Sequence, residues 1–243
     1  MIWTLLLTST IFIIVGFVIT ENNAKYLLAG YNTMSEKDKK QVDIKTYIGF
    51  FRKFHLFLGV SNLILGLIFT YLIDKTIGGI FLVTYPILAY IYLAVGSLKY
   101  YKRTNSKQNK IGVIILLITL VFVGGLLISG IKEDQLIVNT DSIEFEGNYG
   151  EILTSNQITS IKLVNKLPNI SLKTNGFAMG DIKKGFFKTE NGEVIKLILN
   201  ANNKPFILFI KSDGKKIYYS AKKESSKKIL IEIKQLLPNI IYE

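Results

Sequence analysis

The chain has 243 residues, a formal net charge of +12 at pH 7, no cysteine and a single histidine, His55. The lack of cysteine excludes disulfides, thiolate catalysis and every cysteine-based zinc or iron–sulfur site. One histidine cannot supply a Ser/His triad or a His-rich metal site, so the sequence predicts a protein without catalytic residues, cofactors or a bound metal.

Four apolar segments follow one another in the first half of the chain, at residues 2–20, 54–73, 76–98 and 111–131. Each is long enough to cross a hydrocarbon core of about 30 Å at about 1.5 Å per residue. The first segment lacks the basic leading region and the small-residue cleavage site of a signal peptide. Residues 1–131 are therefore predicted to form a membrane α-helical bundle of four transmembrane helices. At the start of the second helix, His55 has either a packing role at the interface or a titrating role.

The positive charge of the helical region is concentrated in two loops on one side of the membrane. Residues 21–53 carry seven Lys or Arg and residues 97–110 carry five, whereas only Lys75 and Lys132 lie close to the helix ends on the other side. Because short cytoplasmic loops collect Lys and Arg, both loops are expected in the cytoplasm. The chain is thus predicted to be a multi-pass protein of the cell membrane with its N-terminus and its C-terminal domain extracytoplasmic.

The first of these loops, residues 33–53, is amphipathic. Thr33 and Glu36 have the spacing of a capping box, which predicts the start of a short charged helix. An apolar stripe follows at helical spacing, at Ile44, Tyr47, Ile48, Phe51 and Phe54. The flanking cations Lys45, Arg52 and Lys53 are predicted to contact the inner leaflet from a helix in the headgroup region. A linker that only sets the topology is the alternative.

The turn before this loop reads Ala29-Gly30-Tyr31-Asn32-Thr33-Met34-Ser35. Its glycine and asparagine suit a sharp exit of the chain from the bilayer. With this run, one helix before it and two after it, the chain resembles a family of small bacterial three-helix membrane proteins of unknown function over residues 1–103 or so. The resemblance implies a membrane architecture and a bacterial, chiefly Gram-positive setting, and it implies no activity.

From residue 132 the apolar runs shorten to strand length, which predicts a separate, mainly β domain over residues 132–243. Seven short strands are expected at 136–139, 142–146, 158–164, 185–189, 194–199, 206–211 and 216–220. Turn signals such as Glu190-Asn191-Gly192 and Asp213-Gly214 separate several of them. An amphipathic helix at about 223–237, stopped by Pro238, is expected to cap the open end of a curved antiparallel sheet.

This order of elements comes with a spaced signature: Leu167-Pro168, Lys173-Thr174-Asn175-Gly176, Gly180, Gly185-Phe186-Phe187 and Gly192. In both respects the domain resembles the bacterial pleckstrin-homology-like domains that are attached to membrane helices. The resemblance implies a seven-stranded, two-sheet roll with a C-terminal capping helix and a role in binding or assembly. The basic motif by which eukaryotic namesakes recognise phosphoinositides is not identifiable, so that function is not carried over.

Paired lysines are the candidate contact residues of this domain. A surface for anionic lipid headgroups or wall polymers is predicted from Lys183, Lys184, Lys215, Lys216, Lys222 and Lys223. Thirteen acidic residues share the domain, so an ordinary solvated surface is the alternative. Aromatic residues do not interleave with these lysine pairs in the way that a stacking platform for nucleic acid would require, and nucleic acid is not expected as a partner.

The function that fits these features is a non-enzymatic, membrane-tethered interaction or scaffold protein of the bacterial cell envelope. Its expected partners are the lipid bilayer, a membrane or envelope protein, and a second copy in a homo-oligomer. An immunity factor against an antimicrobial peptide is one alternative, because membrane proteins with pleckstrin-like domains include such factors. A small transporter is another, although no Asp, Glu, Lys or Arg lies inside a predicted span, where ion-coupled carriers usually need one.

Overall fold

The computed structural model describes residues 1–100, 107–222 and 224–242, and of residues 107–110 it describes the backbone alone. Two compact units divide the chain, Met1–Leu127 and Ile128–Glu243. The helices are α1 (Ile2–Val18), α2 (Ala24–Leu27), α3 (Glu36–Lys39), α4 (Ile44–Leu67), α5 (Lys75–Ser97), α6 (Lys107–Ile131) and α7 (Ser226–Leu236). A π-helical turn, Ile68–Ile73, extends α4, and a 3-10 turn, Leu98–Tyr100, extends α5.

Within the described residues, three helices are long and apolar enough to cross a membrane: Ile44–Ile73, Lys75–Tyr100 and Ile111–Ile131. This confirms apolar, membrane-type helices in the first half of the chain. The first apolar helix, Ile2–Val18, is shorter, with 17 residues. Side chains of all these helices that face away from the unit are mostly aliphatic or aromatic, as lipid contact requires.

Helices α1 and α4 pack antiparallel and close together. A Cβ added to Gly66 would meet Leu5, one added to Gly59 would meet Ile13, and one added to Gly16 would lie 2.9 Å from the Cβ of His55. Glycines at these crossings let the two backbones approach, which is the usual device of membrane helices. The contacts therefore run along twelve residues of each helix, from Leu5 to Gly16 on α1 and from His55 to Gly66 on α4.

The apolar stripe of residues 44–54 differs from the expected interfacial helix. Helix α4 begins at Ile44 and continues without a break, and Tyr47, Ile48, Phe51 and Phe54 are buried in the core of the helical unit. Side chains that pack against other helices cannot also contact lipid headgroups, so the apolar periodicity of residues 44–54 reflects helix packing. The cap also differs, because Ser35 rather than Thr33 accepts the backbone N–H of Asp38, at 3.2 Å.

The described part of the second unit has ten strands, more than the seven expected: β1 (Leu136–Val138), β2 (Ser142–Phe145), β3 (Glu151–Thr154), β4 (Ile158–Val164), β5 (Ile170–Met179), β6 (Ile182–Thr189), β7 (Val194–Asn200), β8 (Phe206–Lys211), β9 (Lys216–Tyr219) and β10 (Ile241–Tyr242). A small sheet has the order β1-β2-β3 and a large one the order β10-β4-β8-β9-β7-β6-β5. The large sheet is mixed, since β7 pairs with β9 and β4 with β10 in parallel. This departs from the expected antiparallel sheet.

Both faces of the large sheet bury apolar side chains. On one face, Phe209 and Ile217 meet Phe145 of the small sheet and the apolar side of α7, where Ile229, Leu230 and Ile233 are buried. On the other face, Leu197 and Leu208 belong to a second cluster. A mostly β domain that ends in a helix is thereby confirmed. The first face also positions the charged residues described next.

Candidate functional site

A pocket of about 270 Å³ lies at the rim of the layer between the two sheets. Its walls are formed by Glu151, Phe186, Val194, Lys196, Lys211, Lys215, Lys216 and Ile217. We call this the Glu151 pocket. Four of its eight wall residues are lysines and one is a carboxylate, so the walls carry a net positive charge.

Glu151 organises the pocket from the first position of β3. Its Oε1 lies 2.6 Å from Nζ of Lys196 on β7, and its Oε2 lies 2.9 Å from Nζ of Lys211 at the end of β8. The Lys196 ammonium also lies 5.2 Å from the ring centroid of Phe186, within cation–π range. One carboxylate thus holds two cations from the opposite sheet in fixed positions.

The charge of Glu151 is stabilised by its partners. Burial alone would raise the pKa of this carboxyl group, but the hydrogen bonds from Lys196 and Lys211 outweigh it and hold the pKa below the ordinary value of 4.5. Glu151 is therefore ionised at neutral pH. Lys196 and Lys211 each use one of their three N–H donors on the Glu151 carboxylate, which leaves two donors on each ammonium for other acceptors.

Lys215 and Lys216, two of the predicted contact residues, complete the wall. The Lys215 ammonium pairs with Asp213 at 2.9 Å in the exposed turn between β8 and β9. The Lys216 ammonium pairs with Glu193 at 2.9 Å and is half-buried. Neither of these two carboxylates is among the wall residues. The structure therefore brings two predicted lysines together with two that were not predicted.

Lys184 is not a surface residue, which corrects its assignment to an exposed lysine patch. It is buried and pairs with the equally buried Asp134 at 2.8 Å. Its ammonium also donates to the backbone carbonyl of Lys132. Among the described residues, Asp134 Oδ2 has no hydrogen-bond partner. Lys184 therefore fastens residues 132–134 to the large sheet.

The other predicted lysines of this domain are separate from the pocket. Lys183 is half-buried on β6, next to Lys184 but with its side chain on the opposite face of the strand. Lys222 is exposed, and its backbone N–H donates to the carboxylate of Glu133. Lys223 lies outside the described residues. The six lysines do not form one continuous patch.

The predicted inner-leaflet residues Lys45, Arg52 and Lys53 are all exposed on α4. Directly after these cations the exposed side chains of α4 become apolar, since Leu56 is 44% and Phe57 69% exposed. A helix that crosses a bilayer shows this change where headgroups give way to hydrocarbon. The boundary between charged and apolar exposed side chains on α4 therefore falls between Lys53 and Leu56.

His55 lies at the level of this boundary and is fully buried. Its Nδ1 lies 2.8 Å from the carbonyl oxygen of Phe51, and its Nε2 lies 3.2 Å from the hydroxyl of Tyr90. Because the carbonyl can only accept, Nδ1 carries the proton and Nε2 accepts from Tyr90. Farther along α4, Asn62 donates to Ser9 Oγ at 2.9 Å.

A second cavity, of about 430 Å³, adjoins His55. Its walls are formed by Val15, Ile19, Leu27, Leu28, Ala29, Gly30, Tyr47, Phe51, His55, Tyr90, Leu93, Ala94, Ser97, Gly112 and Leu116. We call this the bundle cavity. It includes Leu28, Ala29 and Gly30, at the start of the run on which the family resemblance was based.

Sequence reasoning missed Glu151, Lys196, Lys211 and Tyr90. A signal existed for Lys196, which interrupts the apolar run Val194–Leu199, because a lysine in a buried strand needs a carboxylate partner. No signal marked Glu151, since β3 is short and has no regular alternation. Across the described part of the chain, no three His, Asp or Glu side chains come together as metal ligands.

Comparison with known protein families identifies a match for the helical part of the chain. The family model described as "Domain of unknown function (DUF3784)" matches residues 6–101, which cover α1 from Leu6 onward and all of α2 through α5. No curated protein and no solved structure matches the chain. The helical part of the chain is thus similar to a family without a known activity.

Proposed function

We propose that the chain is a non-enzymatic, membrane-tethered interaction protein of the bacterial cell envelope whose β unit binds an anionic partner in the Glu151 pocket. The observation that carries this proposal is the pocket itself, with four lysines around a single carboxylate. A concave site with a few converging charged groups is the usual form of a ligand site.

The electrostatics of the pocket favour an anion. Lys196 and Lys211 are held in place by Glu151, so little side-chain entropy is lost when they donate to a ligand. Lys215 and Lys216 lie at the more exposed side and are held by carboxylates outside the wall. A phosphate or carboxylate group fits this arrangement because it accepts several charge-assisted hydrogen bonds at once.

The membrane part of the proposal has four crossings, with α1 as the first. Although α1 has only 17 residues, it runs beside the apolar part of α4 from Leu5 at Gly66 to Gly16 at His55. The ends of α4 and α5 meet, since the backbone N–H of Asp43 donates to the carbonyl of Tyr100 at 2.9 Å. With the basic loops in the cytoplasm, the β unit is then outside.

Labelling of single cysteines tests this orientation, because the natural chain has none. With cysteines placed at Asn105 and at Ser212, a membrane-impermeant reagent added to intact cells is expected to reach only position 212. Labelling at position 105 alone would reverse the orientation.

We also infer that the β unit is a variant of the pleckstrin-homology-like roll. Support comes from two sheets that enclose one core and from α7, which covers that core with Ile229 and Ile233. The parallel pairs β7–β9 and β4–β10 are additions to the arrangement that the resemblance implies. Such rolls use their surfaces for binding or assembly, which agrees with the proposed role.

A titration of the full chain in lipid nanodiscs with inorganic pyrophosphate tests the pocket. The test variant is Lys215→Gln/Lys216→Gln, and the matched control is Lys227→Gln/Lys228→Gln, which removes the same charge from exposed positions of α7. Loss of two charge-assisted hydrogen bonds should weaken binding at least about tenfold in the test variant alone.

Equal weakening in both variants would mean that only the general charge of the domain attracts the anion, and it would overturn the proposal. Absence of binding to the natural chain would overturn it as well. Lys196 and Lys211 are left unchanged here, so that Glu151 keeps its partners and the fold is preserved.

A further inference from the structure

We propose that the bundle cavity is a binding site for one anionic phospholipid, which inserts an acyl chain beside His55 and places its headgroup among the cations at the same end of the helical unit. This site is formed by other residues than the Glu151 pocket, and it does not depend on the function proposed for the β unit.

The walls of the cavity suit an apolar chain. Helix α1 contributes Val15, with Ile19 directly after its last residue, α4 contributes Phe51, and α5 contributes Leu93 and Ala94. The volume of about 430 Å³ lies within the range of ligand sites that are lined mostly by apolar and aromatic side chains.

The side chains of His55, Tyr90 and Ser97 in the wall already have hydrogen-bond partners within the protein. The two ring nitrogens of His55 are occupied by Phe51 and Tyr90, and the hydroxyl of Tyr90 is used as donor to the histidine. The hydroxyl of Ser97 donates to the carbonyl of Ala94 at 2.7 Å. A polar solute in this cavity would lose hydrogen bonds to water without replacement, whereas a hydrocarbon chain loses none.

The cavity crosses the boundary of the bilayer, which calls for an amphipathic occupant. Along α4 its wall extends from Tyr47, beside the exposed cation Lys45, to His55, next to the first lipid-facing residues. This stretch is about 12 Å long at 1.5 Å per residue. One part of the occupant therefore lies at headgroup depth and the other at the depth of acyl chains.

Three cations lie close in sequence to wall residues at this end of the cavity. Lys25, Arg52 and Lys99 are each within two positions of a wall residue. The guanidinium of Arg52 lies 5.4 Å from the ring centroid of Phe17, and the ammonium of Lys99 lies 5.0 Å from that of Phe50. Both are thus held against the helical unit, and their charge favours a headgroup with a net negative charge over a zwitterionic one.

Native mass spectrometry of the full chain in mild detergent, with phosphatidylglycerol or phosphatidylcholine added, measures this binding directly. One phosphatidylglycerol per chain is expected to remain bound, with about tenfold preference over phosphatidylcholine from two cations near the headgroup. Arg52→Gln/Lys99→Gln should remove the preference but not the binding of lipid.

The variant Ala94→Phe fills the cavity and should abolish retention of the lipid. Its matched control is Val95→Phe, a change of similar size at the next position, which is 52% exposed and faces away from the cavity. Should Ala94→Phe fail to fold, the smaller change Ser97→Leu serves the same purpose. Retention by a folded cavity-filled variant, or equal and labile binding of both lipids, would overturn the proposal.

Discussion

Removal of Lys184 should destabilise the β unit strongly, although the residue belongs to a lysine pair that looks like surface in the sequence. In the structure Lys184 and Asp134 are both only 7% exposed, and their charged atoms are 2.8 Å apart. The variant Lys184→Met keeps the length of the side chain and removes its charge. Asp134 then remains as a buried carboxylate without a counter-ion, and its Oδ2 lacks a hydrogen-bond partner among the described residues even in the natural chain.

The expected cost follows from burial. A buried ion pair that loses one partner costs about 3–5 kcal/mol, because the remaining charge is uncompensated. A domain of this size loses roughly 4 °C or more of Tm per kcal/mol. The double variant Lys184→Met/Asp134→Asn removes both charges and should recover most of the loss, since well-packed neutral replacements of such pairs are often close to neutral.

Pulse proteolysis of the full chain in nanodiscs across a urea series measures the unfolding of the β unit in all three proteins. Lys183→Met is the matched control, because its half-buried side chain lies on the other face of the same strand. A Lys184→Met protein as stable as the natural chain would refute the assigned role of the pair. So would a double variant that is no more stable than Lys184→Met.

Two further predictions concern the β unit. Pairing with the two lysines lowers the pKa of Glu151 in the folded state, so the contribution of Glu151 to stability is complete above about pH 4.5 and is lost as the pH falls through the lowered folded pKa. The variant Glu151→Gln should therefore flatten the acid side of a Tm-against-pH curve. An unchanged curve would contradict the pairing. Ile233→Ala should lower the free energy of unfolding in urea by about 2–5 kcal/mol, because Ile233 is 0% exposed in the core. Ile231→Ala, at a position that is 57% exposed, should lower it by at most about 0.5 kcal/mol. Equal losses of stability in the two variants would show that α7 does not cover the core.

Hydropathy was sufficient to predict the membrane-type helices, because lipid imposes a long apolar run that needs no knowledge of the packing. Hydropathy could not predict what the apolar stripe at residues 44–54 packs against. A stripe that faces headgroups and one that faces other helices have the same period, and only the burial of Tyr47, Ile48, Phe51 and Phe54 in the structure distinguishes them.

The strands were predicted where apolar residues alternate or run together, as in β7 and β8. The prediction failed for β3, which is short, for β5, most of whose residues are exposed at the edge of the sheet, and for β10, which has two residues. The same weakness affected Lys184. The strand was predicted to start at Gly185, which placed Lys183 and Lys184 in a loop. In the structure β6 starts at Ile182, so these two lysines point to opposite faces of the strand.

The two charged clusters of the β unit show how one kind of contact serves two purposes. Lys184 and Lys196 lie on the same face of the large sheet, and each meets a carboxylate from residues 132–154. The cavity that Lys184 lines has only about 30 Å³, the room of one water molecule, so the Lys184 ammonium has no space for a ligand beside its bond to Asp134. The Glu151 pocket is about nine times larger by volume, and two more lysines open it to solvent. Stability should therefore respond to changes at Asp134, whereas ligand binding should respond to changes at Lys215 and Lys216.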